Sequence, residues 1–272
     1  MAGGYVDGRE GARRRLRLHR LVAEGRFGEA DRLADAILSE SPDDVQVWYQ
    51  KGANRFQAKK FADAVDAFEA ILRIDGNNAD AWRAKGICLA EQKQYAEALP
   101  AYRAALRCAP DDPITLNEMG KALANLEQHD EAVKAFGAAV VADGRFAEAL
   151  HYLAISLDRV GRHDDAFACF DQAVRVAPGT ADAWVDRGSH FAQEATKRLH
   201  QDHPRLALGL FYEALRSYEC ALSLSPGHHL AKRHRTSILE LLGPERTRCR
   251  PTPPHSAPTV CSRGESNDRT SS

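Results

Sequence analysis

The sequence repeats with a period of about 34 residues, and that period limits the kind of core the chain can build. Alanine recurs at Ala30, Ala64, Ala98, Ala132 and Ala166, and once more, after a longer gap, at Ala214. Four residues on stand Ala34, Phe68, Tyr102, Phe136, Phe170 and Tyr218, and three further on Ile37, Ile71, Ala105, Ala139, Ala173 and Ala221. Each unit closes on a turn residue: Pro42, Gly76, Pro110, Gly144, Pro178 and Pro226. Upstream, Trp48, Trp82 and Trp184 share one position with Leu116 and Leu150, followed four residues later by Gly52, Gly86, Gly120, Gly188 and Ala154. The three- and four-residue spacing predicts helices with one apolar face, two per unit, and β-branched alternation is nearly absent. Gly86 and Ala98 are small where two backbones would approach closely, with Trp82 and Tyr102 filling the space around them. A single hairpin of this kind cannot bury its apolar face, so neighbouring units must stack on it.

Pro100 tests that reading, because it falls inside the second helix of the third unit. A proline in a helix interior removes one hydrogen bond and crowds the carbonyl four residues back, at a cost of about 3 kcal/mol. Here it follows Ala98 by two residues, near the start of the helix and on its outer face, so the orphaned carbonyl of Ala96 would meet water. The helix is therefore expected to continue through it.

The succession of a large residue, a small one, A-x-x-x-F and a closing proline resembles the tetratricopeptide repeat (TPR). The resemblance covers residues 11–228 as six tandem copies: 11–44, 45–78, 79–112, 113–146, 147–180 and 181–228. It implies an all-α fold, a right-handed superhelix or α-solenoid of helix-turn-helix repeats. Arg14 in the first copy replaces the Trp or Leu of the others, as suits a terminal repeat, and His129 and His163 take a place held elsewhere by Phe27, Phe61, Tyr95 and Phe211. The sixth copy carries an insertion, running from Pro178 to Pro226 where an ordinary copy runs from Pro110 to Gly144. Its pattern predicts two extended helices, about 182–201 and 204–224, with Asp202 as cap, Pro204 in the first turn, and His200 and His203 at the tip. Residues 229–243 read as a capping helix with Leu230, Ile238, Leu241 and Leu242 on its apolar side, 1–10 as an extension, and 244–272 as a disordered tail.

Charge is uneven: residues 1–20 and 228–272 each carry +4, and residues 21–227 carry −9. The arginines of "RRRLRLHR" are expected on the exposed face of a helix marked by Leu16, Leu18 and Leu21; an acidic body makes nucleic acid an unfavoured partner. No run reaches the roughly 18–20 apolar residues of a membrane span, and no apolar stretch follows the N-terminal arginines, which points to a cytoplasmic protein without membrane attachment. Six scattered cysteines without a C-x-x-C pair suit a reducing compartment and packing roles. The histidines lack further ligands at metal spacing, and no nucleotide-binding or nucleophile motif occurs, so neither cofactor nor catalysis is expected.

TPR proteins usually hold ligands in a concave groove lined by the first helix of each repeat. Transferred position by position, the resemblance places Tyr49, Arg83, Asn117, Lys121, His151, Tyr152, Asp158, Arg159 and Asp186 there, with Glu148 and Asp182 making its C-terminal part acidic. It implies a scaffold or adaptor binding a protein or peptide, with an apolar segment bearing some Lys or Arg as the fitting partner. The alternative is a structural subunit of an assembly that uses stacked or convex surfaces. The clamp for a chaperone's C-terminal carboxylate is not expected: Tyr49, Ala53 and Ala84 stand where Lys, Asn and Asn are wanted, and Glu118 where Arg is needed.

Overall fold

The computed structural model describes residues 8–246, with side chains from 10 to 243, and among them the secondary structure is all helix. The chain divides between Tyr152 and Leu153 into two compact units. The first contains α1 (Gly8–Ala23), α2 (Phe27–Glu40), α3 (Val45–Gln57), α4 (Phe61–Ile74), α5 (Ala79–Glu91), α6 (Tyr95–Cys108), α7 (Pro113–Asn125) and α8 (His129–Ala142). The division falls within α9 (Ala147–Val160), and the second unit continues through α10 (His163–Val176), α11 (Ala181–His200), α12 (Pro204–Leu224) and α13 (His229–Arg246).

Within four of the hairpins the helices meet over a glycine. A methyl group on Gly86 would lie 2.5 Å from the ring of Tyr102, and one on Gly52, Gly120 or Gly188 would lie 2.7 Å from Phe68, Phe136 or Tyr218. The aromatic thus occupies the volume a side chain would need, and Tyr102 and Phe136 are wholly buried. The alanines Ala30, Ala64, Ala98, Ala132, Ala166 and Ala214 are also fully buried. They set the distance at which the paired helices pack.

One device closes every hairpin. A residue just after the first helix takes a left-handed conformation: Gly25, Lys59, Lys93, Glu127, Gly161 and Asp202, with φ between 58° and 87°. In the third copy the Lys93 N–H donates to the Ala90 carbonyl at 2.8 Å and the Gln94 N–H to Leu89 at 2.9 Å, which satisfies the orphan carbonyls at the helix end. This corrects the role expected of Asp202: it occupies the left-handed turn position, and the residue flanking α12 is His203, without a side-chain cap.

Between hairpins, caps and indoles set the path. Asp44, Asn78 and Asp112 accept from the backbone N–H of Val47, Ala81 and Thr115, opening α3, α5 and α7. The Trp48, Trp82 and Trp184 indoles donate to the carbonyls of Pro42, Gly76 and Pro178 at 2.7–2.9 Å, so each tryptophan ties its helix to the turn before it rather than only filling space. A base then joins each of these helices to the helix before it: Lys51 pairs with Asp35, Lys85 with Glu69, Arg187 with Asp171.

α6 continues through Pro100, which is exposed together with Ala96, so the residue whose carbonyl loses its partner lies on the solvent side of the helix. α11 and α12 are 20 and 21 residues long against 13 or 14 in α3 to α10, so the extra residues of the sixth copy lengthen both helices. Two expected apolar faces differ. Leu16 is 64% exposed while Leu18 and Leu21 are buried, because residues two apart on a helix point to different sides. In α13 the buried side is Ala231 and Ile238, with Leu242 half-buried, whereas Leu230 and Leu241 are more than half exposed. The His234 ring lies 5.6 Å from Tyr218 on that same side. Most of the tail expected to be disordered, and most of the N-terminal extension, lie outside the described residues.

Glycine replacement distinguishes the tight contact from an ordinary helical position. Gly86→Ala is expected to lower stability by about 1–3 kcal/mol through overpacking against Tyr102. Gly137→Ala, where a methyl group meets nothing within 4 Å, is expected to raise it by about 0.5–1 kcal/mol. Urea unfolding of the two variants checks both signs.

Candidate functional site

In the first unit the candidate residues fall on successive first helices at the repeat interval: Tyr49 on α3, Arg83 on α5, Asn117 and Lys121 on α7, His151 and Tyr152 on α9. The aromatics have fixed platforms. Tyr49, 40% exposed, meets Phe68 edge-on at 5.6 Å, and Tyr152, half-buried, stacks on Phe136 at 5.7 Å. His151 packs edge-on against Tyr152 at 5.0 Å.

The cations are committed within the protein. Arg83 reaches Asp112 at 2.9 Å and Asp80 at 2.6 Å, thereby tying α5 to the cap of α7. Burial alone would lower its pKa, but the hydrogen bond and charges of Asp112, with Asp80, hold it above the ordinary value. Lys121 reaches Glu118 at 2.8 Å and Glu148 at 3.2 Å and lies 5.9 Å from the Tyr152 ring centre. Burial lowers its pKa and the two glutamates more than offset that, so it is raised. Asp112 has the matching response: burial would raise its pKa, and hydrogen bonds from Thr115 and Arg83 hold it below the usual range. Asn117 is only 1% exposed, and neither polar atom of its side-chain amide has a hydrogen-bond partner.

In the second unit Asp158 faces two histidines, His163 Nδ1 at 2.6 Å and His190 Nδ1 at 3.4 Å. Burial lowers the His190 pKa, partly opposed by Asp158, so this ring on α11 is held neutral near pH 7. Sequence reasoning singles out His163 and passes over His190, which occupies the repeat position of Asn54 and Cys88. Its signal is a large polar residue where the second to fifth copies carry the smaller Asn54, Cys88, Ala122 and Ser156. Arg159 is exposed, Asp186 is half-buried, and Asp182 pairs with His228 at 2.8 Å. Cys88 is buried and its thiol is pushed up to about 12 by that burial, which suits packing and not reactivity. Among the described residues no group of three or more potential metal ligands converges.

The sequence matches the tetratricopeptide repeat family over residues 16–79, 49–113, 117–168 and 153–218. The chain belongs to the tetratricopeptide repeat family. No curated protein matches its sequence. Among solved structures, the TPR protein YrrB, described as having an unusual peptide-binding site, is 21% identical with a TM-score of 0.56, over 75% of this chain and 97% of its own. PilW, a type IV pilus biogenesis factor, is 17% identical with a TM-score of 0.66, over 82% and 97%. MamA from Desulfovibrio magneticus RS-1 is 17% identical with a TM-score of 0.55, over 65% and 96%. These likenesses show a TPR fold. No described helix is long and apolar enough to cross a membrane.

The Arg83–Asp112 pair links two TPR hairpins and has a defined pH signature. A carboxylate with a depressed folded pKa stabilises above its unfolded value, about 3.9, and that contribution disappears as pH falls through the folded value. Asp112→Asn keeps a capping side chain of the kind Asn78 supplies and removes the charge. It is expected to cost about 0.5–1 kcal/mol at pH 7 after solvent screening, and progressively less below pH ~4. Thermal unfolding of both proteins from pH 7 to 2.5 checks the convergence.

Proposed function

We propose that this TPR chain is a protein-interaction scaffold whose first-helix face takes an extended partner segment. The observation that carries the reading is the pairing of partly exposed aromatics with internally neutralised cations. Tyr49 and Tyr152 are braced by Phe68 and Phe136, while Arg83 and Lys121 already hold carboxylates of the same unit. Such a surface offers apolar area and directional hydrogen bonds without unpaired positive charge. An acidic C-terminal tail would have to displace Asp112 or Glu118 to be held, so a chaperone-type carboxylate is a poor fit. A segment with apolar side chains and one or two Lys or Arg is the better one, and the exposed carboxylate of Asp182 supports it in the second unit. The peptide-binding site described for YrrB is in keeping with this reading.

Panning a peptide display library on the full chain tests it. The selected peptides that lose at least tenfold affinity to the variant Tyr49→Ala/Tyr152→Ala are expected to be apolar with basic residues and to weaken as salt rises from about 50 to about 300 mM. Acidic peptides among those that depend on Tyr49 and Tyr152, or no selected peptide that loses affinity to the variant, would refute the proposal.

A further inference from the structure

The repeat breaks its own charge pattern at one place on the surface. Four copies place an acid at one position of the second helix, Asp35, Glu69, Asp171 and Glu219, and a base at a constant place in the following helix faces it. Those pairs are Lys51–Asp35, Lys85–Glu69, Arg187–Asp171 and Arg235–Glu219, at 2.6–3.9 Å. In the third copy the acid is replaced by Arg103 and the base by Met119. The charge is reversed, and the position that would face it carries no acid to neutralise it.

Arg103 does not stand alone. Together with Trp82, Lys85, Glu97, Pro100 and Arg107 it lines one open cleft of about 370 Å³ between α5 and α6. Three cations therefore face a single carboxylate. Lys85 is held by Glu69 and lies 5.6 Å from the Trp82 ring centre, whereas Arg103 and Arg107 are exposed and make no ion pair or hydrogen bond among the described residues. Pro100 shapes the opening: at its position four other copies carry the long or charged side chains of Arg32, Asp66, Lys134 and Arg216 and the fifth carries Ala168, where this one has a compact ring. The cleft is separate from the first-helix face. Trp82 and Lys85 lie on the side of α5 opposite Arg83 and Ile87, as the roughly 100° turn per residue requires.

We infer that this cleft binds an acidic segment of a partner protein in extended conformation, with carboxylates at alternate positions. Arg103 and Arg107 are four residues apart on one helix, so their stems are separated by about 6 Å along its axis. Side chains two apart on an extended strand are separated by about 6.6 Å and point to the same side. An Asp/Glu-x-Asp/Glu segment therefore presents one carboxylate to each guanidinium, with the bidentate geometry that arginine favours. The indole of Trp82, fixed by its bond to Gly76, and the Pro100 ring supply apolar walls for the segment's backbone.

Fluorescence anisotropy with the full chain tests this, using a fluorescein-labelled decapeptide of alternating Glu and Ser. Saturable binding is expected, at least tenfold tighter than for the Gln/Ser counterpart and than for a peptide with its glutamates contiguous. The variant Arg103→Glu/Arg107→Glu is expected to lose tenfold or more while keeping its circular-dichroism spectrum, since both residues are exposed and Glu is the residue type Glu69 provides elsewhere. Tyr49→Ala/Tyr152→Ala should bind the acidic probe unchanged, which separates failure here from failure of the first-helix reading. Absence of saturable binding, equal affinity for the Gln/Ser peptide, or full binding by the arginine variant would overturn the inference. So would a labelled single-stranded oligonucleotide that competes more strongly than the peptide, because the site would then read phosphate.

Discussion

The contact between a glycine on the first helix of a hairpin and an aromatic ring on the second governs the rest of this structure. Gly86 under Tyr102, Gly120 under Phe136 and Gly188 under Tyr218 let two backbones close to a distance that larger residues would prevent. The ring that fills the space is buried and the alanines beside it are buried, so the spacing of the two helices is set by their own contact. Burial also raises the Tyr102 hydroxyl pKa, and that hydroxyl has no partner, so the ring is retained for volume. Tyr218 differs in donating to Ser189, a polar neighbour the third copy lacks.

With the hairpin fixed, the junctions decide what is left for binding. Arg83 could have been a ligand contact on grounds of position alone, but the turn that starts α7 places Asp112 within 2.9 Å of it. Lys121 is drawn to Glu118 and Glu148 in the same way. The first-helix face of the first unit thus commits its positive charge to holding its own repeats together, and the aromatics remain. On the other side of α5 the reverse holds, because Arg103 stands where other copies carry an acid and the facing position holds Met119 and not a carboxylate. A repeat protein makes such departures visible, since the other copies show what the position ordinarily does.

Much of the fold is legible in the sequence, because its causes are local and periodic. The constant repeat interval, the small residues facing aromatics and the closing prolines set the number and order of helices, and the unbroken pattern around Phe191 and Leu210 locates the long hairpin of the sixth copy. Less is legible about the site. The sequence places Asn117 on the first-helix face, and packing leaves it 1% exposed. Leu230 and Leu241 suit the inner side of α13 by hydrophobicity alone, yet the side that docks is the one whose residues fit beside Tyr218, Ala231 and Ile238.

Periodicity along one chain determined which residues form helices and which of them face a core, since the helical turn and the size of a side chain are properties of the sequence itself. Pairing between elements was decided only in three dimensions. Whether Arg83 is free, whether His190 meets Asp158, and whether Asp202 caps a helix or turns the chain depend on distances that follow from how the backbones pack. Those distances fix charge, burial and hydrogen bonding, which the list of repeat positions leaves open.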